Sequence, residues 1–160
     1  MGIYRLCNGK RFSHLRTVTT ENQADLAQWI SNKLGGEVPK NLMCIGQKID
    51  GKLKAVASYS NFQGKSCNFS LAGEGNFMNK DFLWAMFDYP FNILNLKVII
   101  ATIAGNNEKS LKLSRHLGFK EIANIADAHI DGDLVIMIMK RENCKWLQLN
   151  ADLNKVRRLT

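Results

Sequence analysis

Residues 97–119, KVIIATIAGNNEKSLKLSRHLGF, decide how this chain folds. The run opens on Val98-Ile99-Ile100-Ala101-Thr102-Ile103, whose β-branched side chains suit a buried strand. Asn106 and Asn107 interrupt it, and Asn107 stands where a short side-chain acceptor caps the first free amides of a helix. Wound at helical spacing, Glu108, Lys109, Lys112, Arg115 and His116 share one arc, while Asn107, Ser110, Leu111, Leu113, Ser114 and Leu117 share the other. Gly118 ends the helix as a residue that tolerates positive φ, and Phe119 starts a new apolar run. The second arc should face the protein, yet two hydroxyls and an amide stand among its leucines. A plain core would place apolar groups there, so something polar is expected against this helix.

Upstream, Thr20-Glu21-Asn22-Gln23 reads as a capping box, and Leu26, Ile30 and Leu34 stripe one helix face until Gly35-Gly36. After Pro39 come strand-like runs at 42–49, 53–62 and 67–72. Asp50-Gly51 and Gln63-Gly64-Lys65 supply turns between them, which predicts an antiparallel meander. Gly73-Glu74-Gly75-Asn76 leads into a helix over 79–94, with Phe82, Leu83, Met86, Phe87 and Leu94 on its buried side. Pro90 removes an internal hydrogen bond and predicts a kink or an end there. Downstream, 121–130 and 134–139 pair across Asp131-Gly132-Asp133. The second of these runs is apolar on both faces and reads as a covered strand. Trp146 and Leu147 dock the start of a tail, expected to be mobile beyond Asn150. The order is helix, three strands, helix, strand, helix, two strands: an α+β fold on a sheet of mixed direction. One domain spans 1–147, followed by a basic tail at 148–160.

The chain's 160 residues are enough to bury a core without staples, and 46% hydrophobic with 22% charged residues are globular values. No apolar run approaches the ~20 residues of a membrane span, and the first residues carry no signal core, so a cytoplasmic location is expected. Leu6 and Cys7 stand where a myristoylation signal wants Ser or Thr. Cys7, Cys44, Cys67 and Cys144 are scattered, as are His14, His116 and His129; this argues for packed thiols in a reducing compartment and against a metal site. The net charge is +8: residues 1–80 hold 11 basic and 5 acidic groups, and the remainder 11 and 9. Lys140, Arg141, Lys145, Lys155, Arg157 and Arg158 crowd the last 21 residues against Glu142 and Asp152. Such a balance favours anionic partners, including nucleic acid and coenzyme phosphates.

The strand–Asn–helix–Gly-Phe block resembles the second half of the acetyl-coenzyme A site of the GNAT superfamily of N-acetyltransferases. The element order agrees over about residues 20–140. Gly-Glu-Gly-Asn before the middle helix and Phe-Asp-Tyr-Pro-Phe within it (Phe87 to Phe91) look like a phage or prophage branch near the ribosomal-protein acetyltransferases, which would place the protein in a host cytoplasm. The resemblance implies acetyl-CoA as co-substrate, an amine acceptor on a protein or small molecule, and no metal. A base in nucleic acid is a further acceptor, and pairing of two copies a further expectation.

By the same resemblance, main-chain amides of the segment 74–80 and the N-terminus of the next helix hold the diphosphate, a task that free N–H groups and the helix dipole suit. Gly73, Gly75, Asn76, Phe77, Asn79 and Lys80 are its candidate residues. The family's signature of Gln or Arg followed by spaced glycines is replaced here by Glu74, Phe77 and Asn79, with a bulky ring where glycine lets backbone approach phosphate. Asn107 and Ser110 would meet the pantetheine arm, and main chain from Leu71 to Gly73 the thioester carbonyl. Ser114 takes the place of the family's usual tyrosine, which protonates the leaving thiolate. Glu74 is the first candidate for general base, with Glu121, Asp88 and His129 as alternatives. Direct attack on the thioester is expected, since no cysteine stands in a nucleophile arrangement. The competing reading is a binding protein on the same fold that has lost catalysis and engages a host protein or nucleic acid through its basic surface. A purely structural domain leaves the polar face of Asn107, Ser110 and Ser114 unexplained.

Overall fold

The computed structural model describes residues 15–149. In chain order its elements are β1 (Arg16–Thr19), α1 (Gln23–Leu34), β2 (Met43–Ile49), β3 (Lys52–Gln63), β4 (Ser66–Gly73), α2 (Lys80–Asp88), β5 (Val98–Ala104), α3 (Glu108–Leu117), β6 (Lys120–His129) and β7 (Gly132–Lys140). All seven strands form one sheet in the order β1-β2-β3-β4-β5-β7-β6. Every neighbouring pair is antiparallel except β4 and β5. The α+β class and the mixed sheet are those the sequence predicts. All three predicted hairpin turns form, with Asp50, Gly51, Gly64 and Gly132 at positive φ as tight turns require.

Alternation decides the two faces. On one side of the sheet Val18, Ile45, Ala57, Tyr59, Phe69, Ile99, Val135 and Met137 pack with Phe82, Met86 and Phe87 of α2 and Leu111 and Leu117 of α3. On the other, α1 lays Leu26, Ala27 and Ile30 on Cys44 and Val56. The half of the sheet made by β5, β7 and β6 therefore has a core on one face only. Leu134, Ile136 and Ile138 are half-buried rather than covered, which corrects the expectation for β7.

Several local expectations change for identifiable reasons. β1 was too short and too plain a run, RTVT, to read as a strand; pairing with β2 from Arg16↔Ile49 to Thr19↔Gly46 makes it one. The capping box at Thr20 does not form. Asn22 caps α1 at φ 57 without a side-chain bond, and the Gln23 side chain instead grips β2, accepting from Cys44 N and donating to Cys44 O, each at 2.8 Å. Leu34 is 54% exposed, off the end of its stripe.

The middle helix stops at Asp88 and continues as a π-helical turn, Tyr89–Ile93, with Leu94 N bonding Tyr89 O at 3.0 Å. Pro90 explains this, because it has no N–H for the carbonyl four residues back, Met86. That buried carbonyl takes the Tyr59 hydroxyl instead. Arg141 then locks the wide turn, donating to Phe91 O, Asn92 Oδ1 and Asn95 Oδ1 at 2.9, 2.9 and 3.1 Å. Trp146 docks as expected, its Nε1 donating to the last helical carbonyl of α3, Leu117 O, at 2.7 Å. Cys7, His14 and the tail beyond Asn150 lie outside the described residues.

Candidate functional site

The sheet opens in the middle. β4 and β5 pair over three positions, Ser66↔Val98 to Asn68↔Ile100. Past these, β4 stays with β3 as far as Gly73↔Ala55, while β5 stays with β7 as far as Ala104↔Leu134. The two halves part, and a cleft of about 600 Å³ runs between them. Phe69, Ser70 and Leu71 line one side, and Ala101, Thr102 and Ile103 the other. Beyond Asn68 this edge of β4 has no strand opposite it, so main-chain N–H and C=O groups there are available to a ligand.

α3 forms the polar wall, with Asn107, Ser110, Leu113, Ser114 and Leu117 all on the cleft. Leu111 and Leu117 anchor the helix in the core, so the serines one turn apart must face the opening. Asn107 Oδ1 accepts from Ser110 N at 3.1 Å as the helix cap, which leaves the Nδ2 group for a ligand. Gly118, at φ 102, closes the helix by donating to Arg115 O at 3.0 Å. Together with Trp146 on Leu117 O this fixes the direction of the serine row.

Of the residues singled out from sequence, Leu71, Asn107, Ser110 and Ser114 meet in the cleft. Gly73 ends β4, Glu74, Gly75, Asn76, Phe77 and Asn79 lie on the connection to α2, and Lys80 opens that helix; all seven lie outside the cleft lining. The Phe77 ring lies on Gly73, where a Cβ would stand 2.3 Å from it, and meets Phe82 edge-on at 6.4 Å. Glycine at 73 is thus a packing requirement. Asn79 caps α2, its Oδ1 accepting from Phe82 N at 2.8 Å. The Glu74 carboxylate bonds Lys33 at the end of α1 and lies 3.6 Å from Lys54 on β3. The bond and charge of Lys33, helped by Lys54, hold its pKa below the ordinary carboxylate value.

Among the other base candidates, Glu121 pairs with Arg115 at 3.5 Å and Asp88 is buried, accepting from Asn92 Nδ2 at 3.0 Å. His129 does line the cleft, beside Asp131. Asp131 N donates to His129 Nδ1 at 3.1 Å, so the neutral ring carries its proton on Nε2 and offers a donor. Tyr59 and Tyr89 are buried away from the cleft, so no tyrosine of the described residues replaces Ser114. Burial pushes the Cys44 and Cys67 thiols up to about 11 and raises Cys144, which keeps all three protonated and non-nucleophilic near neutrality. Sequence reasoning missed Ser70, Thr102, Asn106 and Asp131 as lining residues: each reads locally as strand or turn, and only the parting of β4 from β5 exposes them.

A mixed sheet that splits between its fourth and fifth strands, with a capped helix along the opening, is the GNAT fold of acetyltransferases. Solved structures agree. A point mutant of spermidine N-acetyltransferase SpeG from Vibrio cholerae superposes with a TM-score of 0.64 at 17% identity over 83% of this chain and 96% of that one. The putative acetyltransferase yncA from Salmonella typhimurium, solved with acetyl-CoA, gives 0.63 at 18% identity over 78% and 93%. A dodecameric form of the Vibrio enzyme gives 0.64 at 16% over 83% and 96%. No family model and no curated protein matches the sequence. No helix of the described residues is long and apolar enough to cross a membrane.

Proposed function

We propose that this protein is an acetyl-CoA-dependent N-acetyltransferase in which an amine attacks the thioester directly. One observation carries the reading: the open edge of β4 faces the row Asn107, Ser110, Ser114 across a single cleft through the sheet. Main-chain N–H of β4 near Leu71 would hold and polarise the thioester carbonyl. Asn107 Nδ2 and the Ser110 hydroxyl would hold the amide-bearing arm. As the new N–C bond forms and the C–S bond breaks, the amine loses one proton and the departing sulfur gains one. Ser114 donates a hydrogen bond to that sulfur. Its hydroxyl is a far weaker acid than a phenol of pKa ~10, so water supplies the proton itself. Main-chain amides of 75–80, the α2 N-terminus and Lys80 would hold the diphosphate.

Glu74, first candidate for the base, is committed to its lysines, and we give it the role of fixing this loop to α1 and β3. His129 then serves as a donor at the cleft, and the amine's proton leaves to solvent at the open mouth. The Glu74 ion pairs, standing where the family signature has a cation or amide, favour one rival: a protein of the same fold that no longer binds the coenzyme. Calorimetric titration with acetyl-CoA and with free coenzyme A decides between them. Micromolar binding of both is expected; absence of heat at millimolar coenzyme selects the rival.

A further inference from the structure

Acetyl transfer leaves the positive charge of this chain unexplained, and the structure gathers much of it at the end of the sheet opposite the cleft. Ser66, Val98 and Lys140 form one row across β4, β5 and β7. The next row outward is tied by main-chain bonds, Lys97 N to Lys65 O at 2.8 Å and Arg141 N to Lys97 O at 2.9 Å. Lys120 opens β6 opposite Ile138, two residues from Lys140 and therefore on the same face. Lys145 follows in the next turn, and all six cations are exposed.

Four adjacent strands at ~4.8 Å spacing spread these charges over roughly 14 Å. Between them lies a cavity of about 600 Å³, rimmed by Lys97, Lys140 and Arg141 and floored by Val98, Cys144 and Leu147. Glu142 is the acid on this rim; the nearby Glu121 is already answered by Arg115. Arg141 is held in place by two bonds to the π-helical turn and one to Asn95 beyond it, so its remaining N–H groups are pre-organised.

The geometry points to this end of the sheet as a binding surface for the phosphate backbone of a nucleic acid. Lys97, Lys140 and Arg141 meet at the cavity, and Lys65, Lys120 and Lys145 extend the cationic edge of the sheet to ~14 Å, more than one phosphate group needs and suited to a chain of them. No aromatic residue lines the cavity, so contact is with backbone rather than stacked bases, and sequence preference should be weak. The surface is separate from the acetyl-transfer cleft and does not depend on the reading given to it.

Fluorescence anisotropy with a labelled 20-nucleotide single strand and a 20-base-pair duplex tests this. Affinity should fall linearly with salt on logarithmic axes. Lys97→Glu with Lys140→Glu should weaken binding about tenfold or more and flatten the salt slope by about 1–2. The control pair Lys48→Glu with Lys52→Glu makes the same charge change at the opposite, β2–β3 end and should alter affinity no more than about twofold. Equal losses in both pairs would mean that net charge alone binds, and would overturn the proposal. So would a polymer that binds no tighter than inorganic triphosphate, which would mark a small-anion site. Unchanged melting temperature and unchanged acetyl-CoA titration in the Lys97/Lys140 variant confirm that neither fold nor cleft is disturbed, so failure here and failure of the acetyltransferase reading are seen separately.

Discussion

Asn107 holds two jobs on two atoms, and a substitution can separate them. Its Oδ1 caps α3 through Ser110 N, which leaves Nδ2 uncommitted to the cap on a residue that lines the cleft. Asn107→Ser keeps a capping acceptor, so stability should change by less than about 1 kcal/mol, whereas Ala loses the cap and about that much. If the amide donor meets the coenzyme, the serine variant weakens acetyl-CoA binding in calorimetry with its melting temperature kept; an unchanged dissociation constant removes Asn107 from the site. Ser114 acts later, when the sulfur departs. Ser114→Ala should lower kcat roughly tenfold, the worth of about one hydrogen bond, and leave acetyl-CoA affinity nearly intact. Equal rates for parent and variant would take the hydroxyl out of the reaction.

At the level of elements, two contacts between distant segments set the shape of the molecule. The Tyr59 hydroxyl on β3 occupies the Met86 carbonyl that Pro90 leaves free at the end of α2. Tyr59→Phe strands that buried carbonyl and should cost about 1–3 kcal/mol, read as a lower urea midpoint with unchanged m-value. The second contact ties the β4–α2 connection to α1 and β3 through Glu74, Lys33 and Lys54. Here the folded carboxylate has a pKa lowered from 4.5, chiefly by Lys33. A depressed carboxylate contributes fully above its unfolded pKa and loses that contribution as pH falls through the folded one. The parent should therefore melt above Glu74→Gln at pH 7, and the gap should close as pH drops below about 4.5. A gap that persists at pH 3 would show that the lysines do not act through charge.

For the whole molecule, the question is whether the two halves of the split sheet fold together. β4 and β5 share three paired positions, yet the main core runs under both halves, from Val18 and Ile45 to Val135 and Met139. One cooperative transition is expected, with tryptophan fluorescence and circular dichroism coincident; two transitions would show that the halves are separate units. Strands β2 to β7 and their order among the helices, the turns at Asp50-Gly51 and Gln63-Gly64, and the Asn107-to-Gly118 helix were legible in sequence because periodicity, caps and turn residues act within a few positions. The polar face of α3 was legible for the same reason. β1, the Gln23 clamp on β2 and the π-helical turn were not, since each depends on partners 21 to 50 residues away or on a proline whose consequence is settled by Tyr59. The commitment of Glu74 to two lysines likewise needed α1 and β3 brought to one place. Sequence alone determined the three helices, every strand but β1, and that one helix carries a polar wall. Tertiary structure decided that β4 and β5 part beside that wall, because strand pairing is a long-range choice: each strand keeps its longer antiparallel partner, and the short parallel pairing between them gives way.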